Sequence, residues 1–356
     1  MKAVVLRDVG RLEVAEVPLP PLAPDQAMVK VAACGICGSD LRYLHGENPW
    51  SQHTLGVVKP NPPNMILGHE LSGVVSAVGD PAHQRWVGQR VAVLSFKGCG
   101  ECFWCRVGEP NLCPDTQHLG HGAGWKGLEY NPGGMAEYCP IWVDKIYPLP
   151  AQVSFHEATL LDGLGVAVHA VNTGMKRPGE AMAVYGCGVI GLLIAQVALA
   201  KGAREVLAID ISPTMLSLAA DAGALPCDAR GEDVVRSALG LTGGVGVGAV
   251  FNTVGSEESI HASLRMLRRG GRLVQLAAHE GDLRLPMQLM AGERQIIVSA
   301  NNLYEEYEEG LALLAAGKVN VKVMVTHTFP LSQAVEAFAV AQDKSGHGAM
   351  KVVLEP

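Results

Sequence analysis

Apolar and polar positions follow two different rhythms along the chain. Over residues 1–153 apolar residues come in short, glycine-bounded runs. Examples are Ala27-Met-Val-Lys-Val-Ala-Ala33, Gly73-Val-Val-Ser-Ala-Val-Gly79 and Gly88-Gln-Arg-Val-Ala-Val93, with Pro18-Leu-Pro-Pro-Leu-Ala-Pro24 as a turn stretch. No helical periodicity is sustained before about Ser154, so this half reads as all-β with loops. The polar stretch 46–64, with Trp50, His53, Pro60, Pro62 and Pro63, reads as a long surface loop of the kind that often lines a site. From Gly179 onward buried-strand runs alternate with helical patterns. Strands are expected at 181–186, 205–210, 247–254, 272–277 and 295–300, and helices at 192–200, 213–223, 232–239 and 257–269. That alternation predicts a six-stranded, doubly wound parallel sheet with helices on both faces. An acidic helix (303–316), a strand at 323–327 and a last helix and strand follow. The closing strand, 350–354, is most simply returned to the first sheet.

A chain of 356 residues exceeds one typical core, and two domains are expected: residues 1–162 with 301–356, and residues 163–300. Hydrophobic residues make up 48% and charged residues 18%, which excludes a disordered or fibrous chain. A net charge of −7, with no Lys/Arg-rich run, argues against nucleic acid or an acidic membrane as partner. The opening residues read as a strand without a secretory apolar run, and the apolar run from Val189 is too short to cross a bilayer. With nine cysteines, an odd number, a reducing cytoplasm is expected.

Chemistry concentrates first at Cys34-Gly-Ile-Cys-Gly-Ser-Asp-Leu41, which presents a thiolate, a hydroxyl and a carboxylate within four residues. With Gly68-His-Glu70 and Asp162 downstream, Cys37, His69, Glu70 and Asp162 form a candidate zinc site rich enough in exchangeable carboxylate to be catalytic. The simpler reading of Cys34-x-x-Cys37 is a redox or structural pair, but no thioredoxin-like βαβ unit surrounds it. The second cluster is Cys99, Cys102, Cys105 and Cys113, four thiols in one short loop. They suit a structural zinc closed on all sides; an iron–sulfur cluster also takes four cysteines, but this loop lacks the usual cluster spacing. The third signal is a strand, then Gly186-Cys-Gly-Val-Ile-Gly191, a helix, and a second strand ending in Asp210. Gly186 would make the turn, Gly188 admit a pyrophosphate, and Gly191 bring helix against strand, while the N–H groups of Val189 and Ile190 face phosphate. Asp210 would accept both ribose hydroxyls, and no arginine follows within five residues, so NAD is favoured over NADP.

These residues together resemble the zinc-containing medium-chain dehydrogenase/reductase family over essentially the whole chain. The resemblance is nearest the polyol (sorbitol-like), butanediol and threonine dehydrogenase branches. It rests on Cys37-Gly-Ser-Asp-Leu41, Tyr43, Gly68-His-Glu70, the four-cysteine lobe, Asp162-Gly-Leu-Gly-Val-Ala-Val-His169, the dinucleotide fingerprint and Val325-Thr-His-Thr-Phe-Pro-Leu331. The resemblance implies a β-rich GroES-like catalytic domain beside a Rossmann domain. It also implies two zinc ions per chain, one catalytic and one structural, with a small-molecule alcohol as partner and a homodimer or homotetramer as assembly. Cys37 and His69 are then zinc ligands, Ser39 passes the alcohol proton outward, and Asp40 supports the zinc-bearing histidine. Glu70 and Asp162 compete for the remaining position, with Asp162 the steadier. The activity implied is zinc- and NAD-dependent oxidation of a secondary alcohol (polyol, diol or sugar-like) to a ketone. A threonine-type 3-hydroxy amino acid dehydrogenase is the alternative enzyme, and a dinucleotide sensor the non-enzymatic one. The chain departs from the pattern at Asp162, a methylene shorter than the glutamate of sorbitol dehydrogenases. It departs again at Arg42, where alcohol dehydrogenases often hold a relay histidine, and at Ser299-Ala-Asn-Asn302, which lacks the arginine of sorbitol-type enzymes. His45, His53, His118 and His121 are candidates for extra metal or substrate groups, although loop histidines are more often solvated, and Glu305, Glu306, Glu308 and Glu309 are expected to form a solvated helix face.

Overall fold

The computed structural model describes residues 1–125, 127–277 and 282–356. The chain divides into two compact units, Met1–Asp162 with Val321–Pro356, and Gly163–Asn320. Residues 301–320, expected with the first unit, lie with the second. The helix Tyr304–Ala315 is tied there by Glu306, whose carboxylate accepts from His169 Nδ1 (2.8 Å) and Asn172 Nδ2 (2.9 Å) on the helix Leu161–Gly174. Glu306 is therefore buried and not part of a solvated acidic face.

In the first unit the strand Gln26–Gly35 is the hub. It pairs antiparallel with Glu70–Val78, with Tyr138–Trp142 and with the closing strand Lys351–Glu355. The closing strand also runs parallel to Val325–Pro330, so the C-terminus does return to this sheet. Alternating apolar residues of the hub strand (Ala27, Val29, Val31) are buried in one core with Val75, Val91, Ile141 and Leu354. Register fixes the end of the sheet. Gly35 lies opposite Glu70 on one side and Val353 on the other, and the Ile36 N–H donates to Val352 O (2.9 Å). Cys37, Glu70 and Lys351 therefore emerge at the same sheet end.

This unit is not free of helix. Gly38–Leu44 forms one directly after Cys37, and Pro49–Leu55 another inside the stretch expected to be loop. The second has its own start and stop signals: the Asn48 side chain accepts from Ser51 N, Pro49 sits in the first turn, and Gly56 ends it in the left-handed region (φ +66°). Both helices are too short for a periodicity to show.

The second unit is a six-stranded parallel sheet in the spatial order Leu225–Asp228, Glu205–Asp210, Ala181–Tyr185, Val247–Asn252, Leu267–Gln275, Gln295–Val298. In chain order that is 3-2-1-4-5-6, the doubly wound arrangement expected. The strand that sequence had not located is Leu225–Asp228. It lies at the sheet edge with two of its four residues exposed, so it lacks the apolar run of the others. No helix among the described residues is long and apolar enough to cross a membrane.

Candidate active site and metal centres

Cys37, His69 and Glu70 bring their ligand atoms within 4.8 Å of one another. The sheet end supplies Cys37 and Glu70 by register, and the turn before Glu70 supplies His69. That turn needs Gly68 in the left-handed region (φ +92°), where a Cβ would meet Cys34 Sγ at 2.6 Å. Asp162 joins through His69: its Oδ2 lies 4.0 Å from His69 Nε2, and its Oδ1 accepts from Ser95 Oγ at 3.3 Å. Glu70 is held differently. Lys351 Nζ donates to both of its carboxylate oxygens (2.6 and 2.5 Å), and both side chains are buried.

Asp40 is fully buried and tethers both metal-facing segments. Its Oδ2 accepts from Cys37 N (2.8 Å) and its Oδ1 from Gly68 N (3.2 Å). It stands 3.9 Å from His69 Nδ1, beyond hydrogen-bond length, and that nitrogen is buried without a partner. Asp40 thus supports the histidine through backbone and charge. Burial raises its carboxyl to about 6, against the pull of His69 and the backbone donors.

The electrostatics test whether this set suits a metal. Burial works against charge on His69, yet the Cys37 thiolate and the Asp40 and Asp162 carboxylates push its imidazole up to about 10. Burial also raises the Asp162 carboxyl. A buried locus of soft and hard anionic donors around one imidazole is the environment a divalent cation fills, so the residues fit zinc.

The four-cysteine lobe also fits. Sγ atoms of Cys99, Cys102, Cys105 and Cys113 lie within 4.8 Å of one another, and none of them is in a disulfide. Backbone N–H groups point at sulfur: Cys102 N to Cys99 Sγ (3.3 Å), Cys105 N to Cys102 Sγ (3.5 Å) and Cys99 N to Cys113 Sγ (3.3 Å). Such donors hold Cys99 down at about 7, while burial pushes Cys105 up to about 12. Uneven thiols sharing one pocket are what a tetrahedral metal levels by binding all four as thiolates.

In the second unit Gly186 takes a positive φ (+94°), and a Cβ on Gly191 would collide with the Gly186 carbonyl. A Cβ on Gly188 would meet nothing, leaving room for a ligand's approach. Gly188 caps the helix Val189–Ala200 with no side-chain bond, so the first N–H groups, including those of Val189 and Ile190, are uncapped by side chain. Asp210 is oriented by Cys187 N (2.6 Å) and Ser212 N (2.8 Å).

Several residues near the first site stand otherwise than in solvated loops. His118 and His121 are buried and stacked on each other (3.9 Å between ring centroids, 7°), and His121 lies 4.4 Å from the His69 ring. Burial holds both well below the ordinary imidazole value. Lys351 could have been suspected, as a lone cation inside an apolar closing strand must find an anion. Nothing local marked the histidines, because their partners come from remote segments. Trp125 stacks on Trp142 (5.5 Å, 10°). His53 sits 2.7 Å from Arg42, and His45 contacts Gln342 (3.1 Å).

Comparison with known proteins converges on one description. Residues 23–151 match the alcohol dehydrogenase GroES-like domain, and residues 189–316 match the zinc-binding dehydrogenase family. Sorbitol dehydrogenase of Bacillus subtilis is 30% identical, covering 100% of this chain and 97% of its own. The structure of alcohol dehydrogenase TADH from Thermus sp. ATN1 is 32% identical with a TM-score of 0.87, covering 100% and 99% of the two chains. That of 2R,3R-butanediol dehydrogenase from Bacillus subtilis is 26% identical with a TM-score of 0.85 and the same coverage.

Proposed function

The chain belongs to the zinc-containing medium-chain alcohol dehydrogenase family, and on that premise we propose that it oxidises a secondary alcohol of a polyol, diol or sugar-like substrate to the ketone, using NAD. The observation that carries this reading is the Cys37–His69–Glu70 cluster with Asp162 beside it. The kinship with sorbitol and butanediol dehydrogenases supports the substrate class. Cys37, His69 and Asp162 would hold the catalytic zinc, which when bound polarises the alcohol oxygen and lowers its pKa toward neutrality. Cys99, Cys102, Cys105 and Cys113 would hold the structural zinc. Gly186, Gly188 and Gly191 with the N–H groups of Val189 and Ile190 would hold the cofactor phosphates, and Asp210 its ribose; NAD supplies the hydride acceptor.

Charge decides between the two carboxylates. The Cys37 thiolate and one carboxylate neutralise a divalent ion. Glu70 already has its charge met by Lys351 in a buried pair, and breaking such a pair costs several kcal/mol, roughly 3–5. Asp162 accepts only a long bond from the Ser95 hydroxyl, so it is the carboxylate free to face the metal. Ser39 Oγ is buried without a hydrogen-bond partner and is the hydroxyl that takes the alcohol proton. Arg42 cannot accept it onward: a guanidinium stays protonated, and this one donates to Glu47 (2.7 Å) and Gln52 (2.5 Å). A panel of polyols, diols, sugars and L-threonine with NAD, followed by absorbance of the reduced cofactor, tests the reading. Turnover of L-threonine alone would replace it with the amino acid alternative, and no turnover of any member would reject it.

A further inference from the structure

His121 has no part in holding a metal in this account, yet its ring is fixed on every side. It stacks on His118, meets the edge of His69 (4.4 Å, 69°), and places Nδ1 3.1 Å from Tyr43 Oη. The Tyr43 oxygen accepts from Gly122 N (3.0 Å), which leaves its own hydrogen to be given away. Two acceptors face it. Asn48 Oδ1 is 3.4 Å away and already accepts from Ser51 N (3.1 Å); His121 Nδ1 is the nearer. With Tyr43 donating to Nδ1, the neutral imidazole carries its proton on Nε2. That atom is buried and has no hydrogen-bond partner among the described residues. His118 is in the opposite condition, since its Nε2 meets Ser95 Oγ (2.9 Å), which in turn donates to Asp162.

Buried polar atoms are almost always paired, because an unmade bond forfeits the group's solvation. An unpaired N–H held in ring contact with a residue of the reaction centre is placed to meet an oxygen from outside the described residues. We infer that His121 Nε2 donates to a second oxygen of the substrate, on the carbon next to the reacting carbinol, and so selects vicinal diols and polyols over simple alcohols. The inference rests on the dehydrogenase reading above and narrows it.

The test compares 2,3-butanediol with 2-butanol, using NAD and steady-state kinetics on the zinc-loaded full chain. Wild type should favour the diol in kcat/KM by about ten-fold or more, the effect of one hydrogen bond made in a dry site. His121→Phe should lower kcat/KM for the diol about ten-fold more than for 2-butanol, chiefly through KM. His121→Gln, which keeps an N–H donor, should recover part of the difference. Tyr43→Phe, which frees the imidazole to change tautomer, should give a smaller loss of the same kind and serves if His121→Phe does not fold. Equal wild-type efficiency on the two alcohols overturns the inference while leaving the dehydrogenase reading intact, as does a loss in the variants that falls equally on both. A wild type that oxidises neither these alcohols nor any polyol overturns the reading and the inference together.

Discussion

The two candidate metal centres of the first unit are built in opposite ways. The four-cysteine lobe draws all its donors from residues 99–113, and backbone N–H groups of the same loop stabilise its sulfurs. The Cys37 centre draws its candidate donors from positions 37, 69, 70 and 162, brought together by strand register, by Asp40 and, for Asp162, by Ser95. Local donors make a set of one chemistry, suited to bracing a loop. Remote donors make a set of mixed chemistry, in which one carboxylate is neutralised by Lys351 and another stays available. On the proposed reading the first would hold its metal permanently, and the second would leave room for a substrate oxygen.

That contrast can be broken most forcefully at the sulfurs. Cys37→Ser should reduce turnover by about a thousand-fold or more while leaving the melting temperature nearly unchanged, because the sheet end is held by strand pairing. Cys105→Ser should do the reverse: calorimetry should show a melting temperature lower by about 10 °C or more, since structural zinc contributes folding free energy directly. If both variants lose activity and stability in the same proportion, the two centres are not the different devices described here. Chelation sharpens the same point. Dialysis against a moderate chelator should release one metal per chain with the activity, and the second only with unfolding, as followed by metal analysis and circular dichroism.

A smaller effect is expected behind the first centre. Lys351→Met strands Glu70 as a buried charge and should cost roughly 3–5 kcal/mol in urea unfolding, with much of it recovered in Lys351→Met/Glu70→Gln. An unchanged unfolding midpoint in the single variant would mean that Glu70 finds another cation, and the metal is then the obvious one. Smaller still is the cofactor preference. Asp210→Ser should reduce discrimination against NADP about ten-fold by removing repulsion of the 2′-phosphate, read from paired kcat/KM values.

What could be read from sequence follows the same division between local and remote. The clustering of the four cysteines and the strand–turn–helix at Gly186–Gly191 were legible because each is a short string whose spacing sets its own geometry. Five strands of the parallel sheet were legible as apolar runs, whereas Leu225–Asp228 was not, for an exposed edge strand carries no such run. The helix Pro49–Leu55 hid in a polar stretch although Asn48, Pro49 and Gly56 spell its ends. His118 and His121 looked like solvated loop residues, and only the fold brings them against His69 and Tyr43. Glu306 was misread for the same reason, its partners His169 and Asn172 lying well over a hundred residues earlier.

The central claim is that Asp162 serves the catalytic metal while Glu70 is occupied by Lys351. It is tested most directly by counting zinc in two purified variants, with wild type expected to hold two per chain. Asp162→Ala should weaken the catalytic site about ten- to a hundred-fold and be isolated with close to one zinc, whereas Glu70→Ala should keep close to two and lose stability by stranding the buried Lys351 ammonium. Zinc that falls to one in Glu70→Ala and stays at two in Asp162→Ala would contradict the account and make Glu70 the ligand.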